Sequence, residues 1–104
     1  MTVAPAMNLD DARLIKTIRL EILPGHREQY MQSQEIWNQE SRRDPGYLGE
    51  LVGDGDDGAV YVMTFWKSRA DYDRWMDTEH DRIAGLAFAE AHYTSIDIRI
   101  IEVV

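Results

Sequence analysis

The sequence predicts an α+β domain with the element order β-α-β-β-α-β, the ferredoxin-like plan. That plan is one antiparallel four-stranded sheet with both helices on one face. Three observations carry it. Short apolar runs rich in Ile, Val, Tyr and Phe alternate with two longer polar stretches whose aromatic residues recur at helical spacing. Pro-Gly, Asp-Pro-Gly and a Gly-Asp cluster separate these runs. The length of 104 residues suits one domain and leaves little room for a second.

Residues 1–11 have no basic region and no apolar stretch, so they read as a flexible tail and not as a signal peptide. The single domain is expected over 12–104, with the cytoplasm as the default compartment. Arg13 to Leu23 alternates Ile and Leu with Thr and charge, which predicts strand one. Pro24 to about Arg43 is long, polar and free of β-branched clusters, which predicts helix one with Pro24 in its first turn. Tyr30 and Trp37 lie seven residues apart on one face of that helix, with Gln34 between them. Asp44-Pro45-Gly46 ends it.

Tyr47 to Val52 and Ala59 to Lys67 read as strands two and three, joined into a hairpin by the glycines and aspartates of 53–58. Ser68 is a good N-cap for helix two, with Asp71 three residues on as in a capping box. Tyr72, Trp75, Met76, Glu79, His80 and Ile83 then follow at helical spacing. Thr78 with Asp81 repeats the capping pattern, so a break and restart are expected near there. Gly85 weakens the later part. Tyr93 to Val104, rich in Ile and Val, is strand four.

The strands carry large apolar residues on both faces. Strand three has Val60, Val62, Thr64 and Trp66 on one side and Tyr61, Met63 and Phe65 on the other. Two helices cover only one face of a sheet. The open face is therefore expected to meet a second copy of the chain, making a homodimer.

Acidic residues number 19 against 11 basic ones, a net charge of -8. That balance argues against nucleic acid and anionic membranes as partners, and towards a neutral or apolar small ligand. With no cysteine, thiolate metal sites and thiol nucleophiles drop out. No Ser-His-Asp order, phosphate-cradling loop or dinucleotide fingerprint is present. Glu79, His80, Asp81 and His92 lack metal-ligand spacing, so no metal is expected.

His80 shares a helical face with Tyr72, Trp75, Met76 and Ile83, which points it inward. Two readings stand: a proton-transfer or substrate-bonding group, or a histidine held by a backbone carbonyl or by a carboxylate such as Glu79. Tyr30, Trp37, Trp66, Tyr72 and Trp75, with Gln34 and Met76, are the candidate lining of a flat ligand pocket; the alternative is ordinary core packing. Gln34 is a poor core residue, which favours a cavity or a water beside it.

Three strings in this order carry a resemblance: Asp44-Pro45-Gly46-Tyr47-Leu48-Gly49, Met63-Thr64-Phe65-Trp66-Lys67-Ser68, and Tyr72-x-x-Trp75-Met76-x-x-x-His80. With the element order, residues 13–104 resemble the dimeric α+β barrel superfamily, which includes the antibiotic-biosynthesis-type monooxygenases. His80-Asp81-Arg82-Ile83 and Tyr93-Thr94-Ser95-Ile96 resemble a short bacterial branch of unknown function within it. The resemblance implies a homodimer whose sheets close into a barrel and a ligand pocket between helices and sheet; no cofactor is expected. Its relatives include cofactor-independent monooxygenases, haem-degrading enzymes, small isomerases and proteins without demonstrated catalysis, and fold alone does not choose among them. A small-molecule protein similar to the cofactor-independent monooxygenases is the leading reading, against a non-catalytic or stress-associated binding barrel. Haem degradation ranks last: Trp75 matches those relatives' Trp, but their Asn position falls at about Ile18 and their iron-ligand position at about Gly85.

Overall fold

The computed structural model describes residues 8–104. Its order is β1 (Leu14–Ile22), α1 (Arg27–Ser41), β2 (Tyr47–Asp54), β3 (Val60–Trp66), α2 (Arg69–Thr78), α3 (His80–Ala87) and β4 (Tyr93–Glu102). The four strands form one sheet in the order β2-β3-β1-β4, with every pairing antiparallel. This is the predicted α+β plan, with helix two divided. Of the expected tail, residues 1–7 lie outside the described residues, and Leu9–Asp11 form a 3-10 turn capped by the Asn8 side chain. No helix among the described residues is long and apolar enough to cross a membrane.

Local chemistry sets each boundary. Pro24 does not start α1. The His26 N–H donates to the Leu23 carbonyl at 2.9 Å and Gly25 has φ +81°. This is a type II turn, which takes Pro and Gly at its two central positions. The helix therefore begins at Arg27, after the turn closes. At the hairpin, the Gly55 N–H donates to the Ala59 carbonyl at 2.8 Å, and Gly58 supplies the positive φ of +85°. Gly46, entering β2, lies so close to α2 that an added Cβ would overlap the Asp71 side chain.

Helix α2 starts as its sequence indicates: the Ser68 hydroxyl oxygen accepts the Asp71 N–H at 3.0 Å, and the Asp71 carboxylate accepts the Ser68 hydroxyl proton at 2.7 Å. The break falls at Glu79, whose φ is -124°. Thr78 is not a cap for α3. Its hydroxyl donates backwards to the Arg74 carbonyl at 2.8 Å, because a threonine inside a helix finds the carbonyl four residues earlier.

The register places Leu14, Lys16, Ile18 and Leu20 of β1 beside Trp66, Thr64, Val62 and Val60 of β3, all on the helix side. The core forms in two parts. Leu14, Tyr47, Trp66, Tyr72, Trp75 and Ile83 make one cluster, with Trp37 and Met76 packed against it. Leu20, Tyr30, Val60 and Val62 make the other.

The helices leave edge strand β4 uncovered on their own side. Ile96, Ile98 and Ile100 point that way and Ile98 is 47% exposed. The opposite face carries exposed Leu51, Tyr61, Ile101 and Val103 beside half-buried Ile15 and Met63. Its charges pair locally: Arg19 reaches Asp57 at 3.1 Å and Glu21 at 3.4 Å, and Arg99 reaches Asp97 at 3.3 Å. The Tyr61 hydroxyl also donates to Asp57 at 2.7 Å, and these hydrogen bonds hold the Asp57 carboxyl down at about 2.

Candidate functional site

Between the two core clusters the interior is not filled. A cavity of about 450 Å³ lies under α1 and α3 against the helix face of the sheet. A cavity this size falls within the range of small-molecule sites. Lys16, Ile18 and Leu20 of β1 and Thr64 and Trp66 of β3 contribute from the sheet. Tyr30, Gln34 and Trp37 of α1, Trp75 of α2 and His80 of α3 contribute from the helices. Ile96 and Ile98 of uncovered β4 border it as well.

Its aromatic wall is continuous. Trp66 and Trp75 have ring centres 5.0 Å apart, Trp37 stands 6.0 Å from Trp75, and the His80 imidazole lies 5.3 Å from Trp37 and 5.6 Å from Trp75. These separations are those of interacting aromatic pairs. The chain break at Glu79 makes this possible, because α3 restarts at His80 with its ring against both indoles. Helix α3 is tied to α1 outside the cavity by Arg82, which reaches Glu40 at 3.0 Å and Glu79 at 3.5 Å.

Of the predicted site residues, Tyr30, Gln34, Trp37, Trp66, Trp75 and His80 are brought together on this cavity. Tyr72 and Met76 are not among its lining residues. Tyr72 stacks on Trp75 with centres 6.3 Å apart, and Met76 packs against the same cluster. Helical spacing groups residues by face, and a face about 100° wide includes both those that meet a cavity and those that meet the sheet beside it.

Tyr30 and Gln34 on the wall are hydrogen-bonded. The Tyr30 hydroxyl donates to Gln34 Oε1 at 3.0 Å, and Gln34 Nε2 donates to Glu50 Oε2 at 2.7 Å. Gln34 is thus a bridge from α1 to β2, which accounts for a buried amide. Burial pushes the Glu50 carboxyl up, with the Gln34 hydrogen bond opposing. Burial also pushes the Tyr30 phenol up. His80 Nδ1 lies 3.0 Å from Asp81 Oδ1, so the carboxylate beside it is Asp81 and not Glu79.

Sequence reasoning passed over Lys16. It is 6% exposed, on the cavity floor, with Nζ 5.6 Å from the ring centres of both Tyr72 and Trp75. Burial lowers its pKa from 10.5 to about 8. The signal was available: strand alternation puts Lys16 in phase with Leu14, Ile18 and Leu20. A second unanticipated pairing joins His26 and His92, whose Nδ1 atoms lie 3.1 Å apart and hold the start of α1 near the start of β4.

Solved structures share this architecture. PA3566 from Pseudomonas aeruginosa is 22% identical, with TM-score 0.67 over 96% of this chain and 99% of that one. An antibiotic biosynthesis monooxygenase is 20% identical, with TM-score 0.68 over 88% and 98%. SnoaB, a cofactor-independent oxygenase from Streptomyces nogalater, is 12% identical, with TM-score 0.74 over 89% and 94%. No curated protein matches the chain in sequence. The fold is that of the antibiotic-biosynthesis-monooxygenase type, and the match over residues 14–101 shows that the chain belongs to the family described as Domain of unknown function (DUF4937).

Proposed function

We propose that the chain binds a flat aromatic small molecule in the cavity between helices and sheet and acts on it as a cofactor-independent, monooxygenase-like enzyme. The observation that carries this is the aromatic wall of Trp37, Trp66 and Trp75 with the His80 imidazole set into it. Flat rings fit such a wall by stacking and edge contact. His80 is the wall residue whose ring nitrogens can take up and give up a proton, and its Nδ1 lies 3.0 Å from the exposed Asp81 carboxylate. SnoaB, with the same fold, is an oxygenase without a cofactor.

A thermal-shift screen of flat aromatic compounds finds the ligand, since binding to the folded state raises its stability. Oxygen uptake on each stabilising compound then separates an enzyme from a binding barrel. On a compound that is turned over, His80→Ala is expected to lower kcat by about 10²–10⁴-fold and to change affinity little. A kcat that survives the substitution removes the proton-transfer role. Stabilising compounds without any turnover favour the non-catalytic barrel.

The working unit in this proposal is a homodimer formed through the open sheet face. Leu51 at 52% exposure, with Tyr61, Ile101 and Val103, makes an apolar surface that a second copy would cover. Sedimentation at micromolar concentration is expected to give a particle of two chains. A single chain across that range overturns the dimer.

A further inference from the structure

The cavity floor carries a cation that no carboxylate among the described residues neutralises. Lys16 meets the faces of Tyr72 and Trp75, and burial is the sole cause of its lowered pKa. Cation–π contacts return only part of the cost of burying an ammonium. Buried cations are nearly always paired, and Lys16, which makes no hydrogen bond or ion pair among the described residues, calls for an acceptor from the cavity it lines. Lys16 lines that cavity and is more than nine-tenths buried.

We propose that the Lys16 ammonium forms an anion-recognition site on the cavity floor, and that the ligand is an aromatic carboxylic acid. This rests on the reading of the cavity as a small-molecule site. A charge-assisted hydrogen bond from an ammonium to a carboxylate is among the stronger ones. A phenol is the poorer match. Lys16 is still mostly ammonium near pH 7, where a carboxylic acid is ionised and a phenol, titrating near about 10, is not. The remaining titratable groups on the cavity are Tyr30 from α1, His80 from α3, and Glu90 and Tyr93 leading into β4. Tyr72 lies under Lys16 from α2, and Glu50 on β2 is bonded to Gln34. The net charge of -8 suggests a neutral ligand only if surface and interior are alike, and here the cavity floor is cationic.

Calorimetric titration of the full chain with 2-naphthoate and with its neutral isostere 2-naphthamide tests this. Near pH 7 the acid is expected to bind about tenfold or more tightly than the amide. Lys16→Met is expected to abolish that margin by weakening the acid alone. Lys16→Gln repeats the test with a polar uncharged side chain if the thioether is not accommodated. In the unsubstituted protein the margin is expected to shrink towards about pH 9.5, as the amine loses its proton. Equal affinities for acid and amide, or a margin that survives loss of the lysine, overturn the proposal while leaving the cavity a ligand site. Binding of neither probe overturns both.

Discussion

Trp66→Ala is expected to lower stability by about 3–5 kcal/mol, the cost of emptying a large aromatic site in a core. Trp66 is 1% exposed and its ring touches Tyr47, Tyr72 and Trp75 at centre distances of 5.2, 5.5 and 5.0 Å. Its indole N–H donates to Thr64 Oγ1 at 3.0 Å, a bond also lost. It stands where β3 pairs with Leu14 of β1 and Tyr47 of β2, so one side chain supports three strands and α2. The void would open beside an existing cavity, and neighbours that already border empty space cannot close it well. A domain of this size has about 5–15 kcal/mol of net stability, so the loss is a large share of the whole. Urea unfolding measures it. A loss below about 1 kcal/mol would show that the aromatic cluster is not the structural centre assigned to it.

Lys16→Met is expected to stabilise the protein near pH 7 by up to about 3 kcal/mol, and the gain is expected to vanish as pH rises. Unfolded, the lysine keeps its proton to about 10.5; folded, burial makes it shed the proton at about 8. Below about 8 both states are charged and the cost of burial is fully present. Between the two values the unfolded chain binds the extra proton, so stability rises with pH across that window. Methionine has no such cost and fills similar space. The stability difference between the two proteins should therefore narrow from about pH 8 towards 10.5. Tyr30 and Tyr47, whose phenols burial pushes up, act in the opposite sense above about 10, but equally in both proteins. A difference that stays flat with pH would mean that Lys16 is not charged at a cost in the fold. Retaining a destabilising buried cation where a methionine would fit is the pattern expected of a binding site that trades stability for function.

The fold was legible because its signals are local. Ser68 and Asp71 cap α2 with their own atoms, the glycines of 53–58 make a turn within six residues, and strand alternation sets each residue's face. The misplaced elements show where local reading stops. Pro24 fits a helix start and a type II turn equally well, and the positive φ of Gly25 decides for the turn. Thr78 fits an N-cap and a back-bonded helix interior, and the Arg74 carbonyl takes it.

By itself, the sequence determined the element order, the inward face of each strand and the aromatic character of the helix faces. These follow from backbone periodicity and turn chemistry, which act over a few residues. Only the tertiary structure decided that the core divides into two clusters with a cavity between them. It also decided that Tyr72 and Met76 fall outside the cavity, that Gln34 spans to Glu50, and that Lys16 stands on the cavity floor facing no carboxylate among the described residues. Whether a buried cation has a partner depends on side chains brought together from several separate elements, and no spacing along one strand records that.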